Sequence, residues 1–172
     1  NSLQPGDVRS VIHGTTLATN ALIERQGARV GVITTEGFRD ILEIGYERRY
    51  DQYDINIDKP DRIVPRDRVF GVYERITVSG EVIQPLDEVS LDRAIHELIE
   101  QRVESIAVCF LHSYENAVHE QRVFERLQER LPSIPVTLSA EVSPEAREFD
   151  RLCTTVCNAY IAPLMATYLR EL

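Results

Sequence analysis

The chain has 172 residues, of which 19 are basic and 28 are acidic, so its formal net charge at neutral pH is −9. Hydrophobic residues make up 43% and charged residues 27%, the composition of a globular domain, which excludes low-complexity disorder, a collagen-like repeat and a bundle of membrane-spanning helices. The acidic balance argues against a nucleic-acid-binding face, although a small phosphate ligand can still bind through local dipoles.

The first elements alternate between strands and helices. Short β-branched, apolar runs at 9–12 and 29–34 predict two strands. Apolar side chains at near-helical spacing predict helices over 17–25 and 37–44. This strand–helix–strand–helix order is typical of a parallel α/β sheet.

Residues 45–86 interrupt this alternation. Over 45–68 several tyrosines, charges and prolines show no sustained period, so we expect a long excursion that is partly extended. Residues 69–78 alternate as one strand, and 81–83 follow a Ser-Gly turn as its hairpin partner. We therefore expect 1–172 to form a single α/β domain, with 45–86 as an irregular and β-hairpin excursion within it.

The α/β pattern then resumes to the end of the chain. The predicted elements are a helix capped by Asp87 or Ser90 and ending near Arg102, a strand over 105–111, a helix capped by Asn116 and closed by Pro132, a strand over 135–139, and a helix from about Glu148 that Pro163 should break or kink.

The turn at 13–16 is the first candidate for a functional site. A predicted strand ends there in His13-Gly14-Thr15-Thr16, and a predicted helix begins directly after it. Free backbone N–H groups and the positive end of the helix dipole favour an anion or a carbonyl oxygen at such a turn, and open α/β sheets bind ligands beyond the carboxyl ends of their strands. The alternative is that Thr15 or Thr16 only caps the helix and His13 hydrogen-bonds within the turn.

Two further strand ends carry polar side chains. In a parallel sheet all three turns lie at one edge and can share a cleft, where a carboxylate acts as a base or binds a cation and an arginine binds a phosphate or a carboxylate. The alternative is that these are solvated turns with caps and surface ion pairs. The candidate side chains in the two turns are His112, Ser113, Glu141, Glu145 and Arg147.

The remaining motifs carry less information. Cys153 and Cys157 stand one helical turn apart but lack the further ligands of a zinc site, so we expect them to pack as small hydrophobic side chains. His96 and His119 fall among charges on predicted helices and are expected to be exposed. No secretory signal is recognisable, and the longest apolar run, 106–111, is far shorter than a bilayer span, so we expect a cytoplasmic protein with no membrane and no nucleic acid as partner.

Several multi-residue motifs, in the same order along the chain, are similar to the N-terminal region of the A subunits of the hydantoinase/oxoprolinase family. The likeness runs from about Val8 to the end of the chain. The motifs are HGTTLATNAL at 13–22, ITTEGFRD at 33–40, LEIG at 42–45, CFLHSY at 109–114, SAEVSPEARE at 139–148 and TTVCNAY at 154–160.

The resemblance implies an actin-like, ribonuclease-H-like ATPase fold. It implies a parent enzyme that activates a cyclic amide or a ketone with ATP and Mg²⁺, and that opens a hydantoin or 5-oxoproline ring together with a B-type subunit or domain. The family opens with an Asp-x-Gly-Gly-Thr-x-Thr-Asp phosphate hairpin that this chain, which begins at Asn1, does not contain. We therefore expect a fragment of a larger chain that binds no ATP or Mg²⁺ and is inactive alone.

The resemblance also implies where a cleft for substrate or nucleotide lies, without assigning a catalytic residue or a metal ligand. The residues carried over from the first motif are His13, Gly14, Thr15, Thr16, Thr19 and Asn20, and those of second rank at the cleft edge are His112, Ser113, Glu141, Glu145 and Arg147. The alternatives are a ketone carboxylase subunit of the same family and a non-catalytic module that docks a B-type subunit through the tyrosines and hairpin of the 45–86 excursion. A homo-oligomer is compatible with the hydrolase hypothesis and with both alternatives.

Overall fold

The computed structural model describes residues 15–46 and 61–172. The predicted strand at 9–12, the turn residues His13 and Gly14, and the part of the excursion from 47 to 60 lie outside the described residues. The strands are β1 (Val30–Thr35), β2 (Val69–Val72), β3 (Arg75–Ile76), β4 (Val82–Gln84), β5 (Ser105–Cys109) and β6 (Val136–Leu138). The helices are α1 (Leu17–Ile23), α2 (Ile41–Ile44), α3 (Glu88–Glu100), α4 (Val118–Arg130), α5 (Ser139–Val142) and α6 (Glu148–Glu171).

Four of these strands form a parallel sheet in the order β2-β1-β5-β6. Strand β1 is central, and its Val32 lies opposite both Val69 of β2 and Ala107 of β5. All six residues of β1 are buried, as expected for a strand of a parallel sheet that is covered on both faces. The predicted parallel α/β fold with flanking helices is confirmed.

Side chains alternate between the two faces of the sheet and divide the core into two clusters. One cluster joins Ile33 and Val108 of the sheet to the apolar faces of α3 and α4. The other joins Val32 and Ala107 to α6, with Leu42 of α2 at its margin. Both faces of the sheet are therefore covered by helices, which leaves the strand ends as the places where polar side chains gather.

The prediction of one strand over 69–78 is wrong. Strand β2 runs parallel to β1, whereas β3 leaves the main sheet and pairs antiparallel with β4 as a separate hairpin. The break occurs at Tyr73, whose N–H donates to Ser90 Oγ at 3.1 Å and whose carbonyl accepts from Asp87 N–H at 2.9 Å. The N-terminus of α3 thus takes the hydrogen bonds that a continuous strand would give to a neighbouring strand.

Helix α2 is shorter than the predicted helix over 37–44. Residues before Ile41 form a turn instead, in which Gly37 takes a left-handed conformation with φ of +87° and Phe38 N–H donates to the carbonyl of Thr35. A side chain at position 37 would be strained there, which is why the helix begins only after this turn. Helix α5 was not predicted, since it is a single turn that follows β6 directly.

Helix α6 continues through Pro163 to Glu171, so the predicted break is wrong. Proline removes one intrahelical hydrogen bond, and the preceding turns of α6 are already held by buried Leu152 and Val156 on the sheet. Within the described residues, α6 is the one helix long and apolar enough to cross a membrane by length and composition, which is weak evidence because a core helix passes the same test.

Candidate functional site

The carboxyl ends of β1, β5 and β6 meet at one edge of the sheet because the three strands are parallel. A cluster of buried polar side chains fills this edge and is called the strand-end network below. Such side chains are seldom fully buried unless they are paired, so the network has to satisfy its own hydrogen bonds. Its members are Thr35, Glu74, Ser113, His119, Glu120, Ser139 and Arg151.

Glu120 is the acidic centre of the network. It lies on the apolar face of α4, one turn before Val123, and is fully buried. Its carboxylate accepts hydrogen bonds from Phe110 N–H at 3.0 Å, Ser139 Oγ–H at 2.6 Å and Ala140 N–H at 2.9 Å. Burial raises the pKa of Glu120, and these three donors oppose that shift. The carboxylate therefore fixes the backbone just after β5 and just after β6.

Arg151 is the basic centre of the network and comes from the first turn of α6. Its guanidinium donates to the carbonyls of Phe110 at 2.8 Å and Glu145 at 2.7 Å, and to Ser139 Oγ at 3.2 Å. It also lies 5.3 Å from the centroid of the Tyr114 ring, within cation–π distance. Arg151 therefore ties the turn after β5 to the loop that precedes α6.

Ser139 connects the two buried charges. Its hydroxyl donates to Glu120 and accepts from Arg151, and it lies 3.0 Å from the hydroxyl of Ser113. The peptide of Phe110 completes the bridge, since its N–H faces Glu120 and its carbonyl faces Arg151. Across residues 15–46 and 61–172, every buried side-chain nitrogen and oxygen has a hydrogen-bond partner.

Glu74 and His119 form the other half of the network. His119 Nδ1 lies 2.7 Å from one carboxylate oxygen of Glu74, and the other oxygen accepts a hydrogen bond from the Thr35 hydroxyl. Thr35 Oγ1 in turn accepts from Leu111 N–H at 3.0 Å. The prediction that His119 is exposed is wrong, because the buried face of α4 extends to its first turn and Glu74 supplies a partner there.

His112 stands above this network at the tip of the turn after β5. It is half-buried and takes a left-handed backbone conformation with φ of +56°, which is uncommon for a residue other than glycine. The N–H groups of Glu115 and Asn116 both donate to its carbonyl, and its Nδ1 lies 3.4 Å from the Tyr114 hydroxyl. Residues held in this conformation are concentrated at functional sites, so the geometry fits a cleft-edge role for His112.

The other predicted residues of this edge are placed differently. Ser113 is buried within the network, where it can position the turn but cannot reach a ligand from solvent. Glu141, Glu145 and Arg147 are exposed, and Arg147 precedes α6 with φ of +70°. The Glu145 backbone is held by Arg151, whereas Glu141 faces Gln121 of α4 at 3.4 Å. Arg151 thus joins the Glu145 backbone to the carbonyl of Phe110, which also accepts the hydroxyl of Ser113, whereas no contact between Arg151 and His112 is seen in the described part of the chain.

The start of α1 holds the described residues of the first motif. Thr15, Thr16, Thr19 and Asn20 are exposed there. Leu17 N–H donates to Thr15 Oγ1 at 3.1 Å, and Asn20 Nδ2 donates to Thr16 Oγ1 at 3.4 Å. Within the described ranges, these side-chain hydrogen bonds stay at the start of α1 and none reaches the strand-end network. The ligand-binding role of this segment stays a prediction.

Sequence reasoning missed the three charged residues that hold the site together, namely Glu74, Glu120 and Arg151. A usable signal was present for two of them on helices: Glu120 shares the apolar face of its helix with Val123, and Arg151 is followed directly by buried Leu152. A charge at a core-facing helical position needs a buried partner, so it marks a polar network. Glu74 gives a similar signal for the third residue, because it interrupts the apolar face of the strand that was predicted over 69–78.

The described residues contain no group of three or more histidine, cysteine, aspartate or glutamate side chains arranged to hold a metal ion. Burial raises the pKa of Cys109 and of Cys153 to about 11, so both thiols stay protonated. Cys153 packs against the apolar cluster on the α6 face, as expected for a small hydrophobic side chain, and with Cys157 it lines a cavity of about 260 Å³.

Comparison with solved structures defines the fold class. The chain superposes on ATP-dependent caprolactamase from Pseudomonas jessenii with a TM-score of 0.85 and 39% identity, over 92% of this chain and 23% of that one. It superposes on nucleotide-free acetone carboxylase with a TM-score of 0.75 and 31% identity, over 87% of this chain and 23% of that one. The sheet and its helices are therefore part of the actin-like, ribonuclease-H-like ATPase fold.

Comparison of sequences defines the family. Residues 1–131 match the hydantoinase/oxoprolinase N-terminal region, and the chain belongs to the hydantoinase/oxoprolinase family. It is 39% identical to caprolactamase subunit alpha of Pseudomonas jessenii over 94% of its own length and 23% of that subunit. It is 34% identical to 5-oxoprolinase of Saccharomyces cerevisiae over 99% of its own length and 15% of that enzyme. The chain thus spans about a quarter or less of these relatives.

Proposed function

We propose that this chain is a segment of the A subunit of an ATP-dependent hydrolase that opens a cyclic amide such as a hydantoin or 5-oxoproline. The observation that carries the proposal is the likeness to caprolactamase subunit alpha in both sequence, at 39% identity, and structure, at a TM-score of 0.85. The likeness to 5-oxoprolinase, at 34% identity, points to the same substrate class.

The carboxyl edge of the sheet is then one wall of the substrate cleft. His112, Glu145 and Arg147 supply its solvent-facing polar groups, and the buried network beneath them holds the loops that carry these residues. The network itself is sealed from solvent, so Glu120 and Arg151 act as positioning residues rather than as proton donors or acceptors. The described residues of the first motif, from Thr15 to Asn20, are proposed to contribute a second wall.

ATP and Mg²⁺ are the expected cofactors of the parent enzyme. The described residues do not fit a nucleotide site by themselves, because they hold no cluster of metal ligands and because their buried polar side chains are already satisfied by one another. We place the Mg²⁺ contacts, and the contacts to the phosphates of the nucleotide used in the reaction, on other parts of the parent protein. The isolated chain is then inactive in ATP hydrolysis.

A ketone carboxylase of the same family is the second candidate. The likeness to acetone carboxylase, at a TM-score of 0.75 and 31% identity, favours it. Both reactions begin with an unreactive carbonyl compound, so a shared ATP-dependent framework suits either substrate. The choice depends on residues that contact the substrate.

Docking of a B-type subunit or domain is part of the proposal and is also the non-catalytic alternative. In hairpin β3–β4, Val82 and Ile83 are exposed, and Tyr73 beside the hairpin is half-exposed. Apolar and aromatic side chains of this kind are enriched at interfaces. The parent enzyme is proposed to be cytoplasmic.

ATP consumption by the full-length protein with its B partner tests the proposal. The candidate substrates are hydantoin, N-methylhydantoin, 5-oxoproline, caprolactam, and acetone with bicarbonate, and the isolated chain serves as a parallel sample. Stimulation by one cyclic amide supports the hydrolase, and stimulation by acetone with bicarbonate alone supports the carboxylase. ATP consumption that none of the five stimulates contradicts both.

A further inference from the structure

A second polar pocket lies at the amino-terminal edge of the sheet, opposite the strand-end network. Arg29 and Glu104 line it and stand directly before β1 and β5. Tyr160 of α6 also lines it, and Gly27 packs directly on the Tyr160 ring. The pocket has a volume of about 510 Å³. It is large enough for a small organic molecule and not only for a bare ion.

The lining of this pocket is basic, although the chain as a whole has a net charge of −9. Its two carboxylates are those of Asp61 and Glu104. Its arginines are Arg25, Arg29, Arg62 and Arg68, which are four of the 19 basic residues of the chain. Arg62 is paired with Glu43 at 3.9 Å, so Arg25, Arg29 and Arg68 face the two lining carboxylates and leave a local excess of positive charge.

Most hydrogen bonds of these guanidinium groups go to neutral acceptors. Arg25 donates to the carbonyl of Asp61 at 2.9 Å, and Arg68 donates to the carbonyl of Val30 at 3.2 Å. Arg29 donates to the carbonyl and the side-chain amide of Gln101. Arg25 and Arg68 form no ion pair with a carboxylate in the described part of the chain. Within the described residues their positive charges are held in place by backbone carbonyls and not by carboxylates.

The excess of positive charge in the pocket affects Arg68. Burial and the neighbouring Arg29 both lower the pKa of its guanidinium, with burial the larger cause, while Asp67 acts in the opposite direction. Like charges brought together on a partly buried surface cost free energy unless an anion joins them. A pocket that holds several arginines close together is suited to a ligand with more than one negative charge.

We propose that the pocket lined by Arg25, Arg29, Arg62 and Arg68 binds the phosphate or diphosphate group of a small molecule. Guanidinium groups match phosphate oxygens in a bidentate, charge-assisted geometry, and a diphosphate carries enough charge to engage several of them. The site lies at the sheet edge opposite the proposed cleft. Pyrophosphate binding there can therefore be measured separately from the proposed ring-opening reaction.

Isothermal titration calorimetry of the full-length protein with pyrophosphate tests this site. Arg68→Gln and Arg25→Gln each remove one guanidinium and are expected to weaken pyrophosphate binding roughly tenfold to a hundredfold. Arg93→Gln, an exposed arginine on α3, is the matched control and should bind as the parent protein does. Thermal unfolding of each variant identifies any loss caused by misfolding, and if Arg68→Gln does not fold, Arg25→Gln decides.

Saturable pyrophosphate binding that both pocket variants lose and the control retains supports the proposal. Three results overturn it: no saturable binding at millimolar pyrophosphate, equal binding by all variants, or tighter binding of citrate than of pyrophosphate. Tighter binding of citrate would show that the pocket prefers carboxylates to phosphates. A failed ring-opening assay with intact pyrophosphate binding would contradict the proposed function and leave this site standing.

Discussion

Arg151 shows how one buried charge organises several loops. Its guanidinium donates to backbone carbonyls on both sides of the strand-end network. The residue as a whole is only 1% exposed. Removing one member of a buried, compensated set of charges leaves its partners unpaired, which costs more than the lost hydrogen bonds alone.

Replacing Arg151 by Gln should therefore lower the free energy of unfolding by about 3–5 kcal/mol, as measured by urea denaturation. Arg170→Gln is the control, because Arg170 is exposed near the end of α6 and its hydrogen bonds within the described residues go to Ala166 and Thr167 of its own helix. Equal stability of the two variants would show that the buried guanidinium does not hold the loops.

Glu120 should give the protein a distinctive pH dependence. Burial raises its folded-state pKa above the ordinary value of 4.5, so the folded protein binds this proton more tightly than the unfolded chain does. The contribution of Glu120 to stability is therefore present below pH 4.5 and is lost as the pH rises toward the folded-state pKa.

Glu120→Gln removes that titration. The free energy of unfolding of the parent protein, relative to this variant, should fall as the pH rises from 4.5 through the raised folded-state pKa of Glu120, as measured by urea denaturation at several pH values. The exposed Glu97→Gln variant should show no such trend. A relative stability that rises with pH would mean that the hydrogen bonds outweigh burial and that the pKa of Glu120 is lowered.

His112 offers a test of the cleft that leaves the fold intact. Asparagine tolerates a left-handed backbone better than most residues, so His112→Asn removes the imidazole while keeping the turn. In the full-length enzyme we expect turnover to fall about tenfold or more with an unchanged melting temperature. His96→Asn, on the exposed surface of α3, is the control, and equal turnover of the two variants would remove His112 from the site.

Close contact between α6 and the segment before β1 depends on a single glycine. A Cβ atom built on Gly27 would lie 2.2 Å from Cε1 of Tyr160, and the neighbouring Ala28 N–H donates to the carbonyl of Tyr160 at 2.9 Å. The two segments can approach in this way only where position 27 has no side chain.

Gly27→Ala should consequently destabilise the protein by about 1–3 kcal/mol in thermal or urea unfolding, because the tyrosine ring must move. Adding Tyr160→Leu makes room for the new methyl group, so the double variant should lose less stability than the two single changes predict together. Strict additivity would show that the ring and position 27 do not interact.

The regular elements were predictable because each depends on a local pattern. Helix α3 was found from apolar spacing and from two candidate caps, Asp87 and Ser90, of which Asp87 is the cap, since its side chain accepts from Ser90 N–H. The division of 69–78 into two strands was not predictable, because it depends on Ser90, a residue distant in sequence. The burial of His119 was not predictable for the same reason, because its hydrogen-bond partner Glu74 lies 45 residues away in sequence.

The location of the candidate site was predictable from the sequence, but the buried residues that hold it together were not. Parallel strands put their carboxyl ends at one edge, so the turn containing His112 and the turn after Ser139 could be expected to meet. The buried acid and base that hold these turns came from helices, where periodicity marks every core-facing position as apolar. Helical periodicity does not indicate which buried charges will compensate each other in the folded protein.

At the scale of the whole molecule, the hairpin β3–β4 is a candidate surface for a partner among the described residues. Asn116 Nδ2 donates to the carbonyl of Gly80 at 2.8 Å, which fixes the hairpin turn beside the turn after β5. The three residues of β4 are exposed, and Val82 and Ile83 among them are apolar. A partner bound there would lie next to the candidate cleft.

Val82→Thr with Ile83→Thr keeps the β-propensity of β4 and removes its apolar surface. In the full-length protein we expect this double variant to lose co-purification with the B-type subunit while its melting temperature stays unchanged. Val118→Thr, an exposed apolar residue at the start of α4, is the control. Undiminished co-purification of the double variant would place the interface elsewhere.

The strand order also bears on how the chain folds during synthesis. Val32 of the central strand pairs with Val69, 37 residues later, while Val30 pairs with Ser105, 75 residues later. Ile106 and Val136 are only 30 residues apart and are joined through α4. Because the entropy of closing a loop grows with its length, the β5–α4–β6 unit is favoured to form early, and β5 joins β1 through the longest loop of the sheet. The central strand, which leaves the ribosome before its partners, must therefore wait longest for complete pairing.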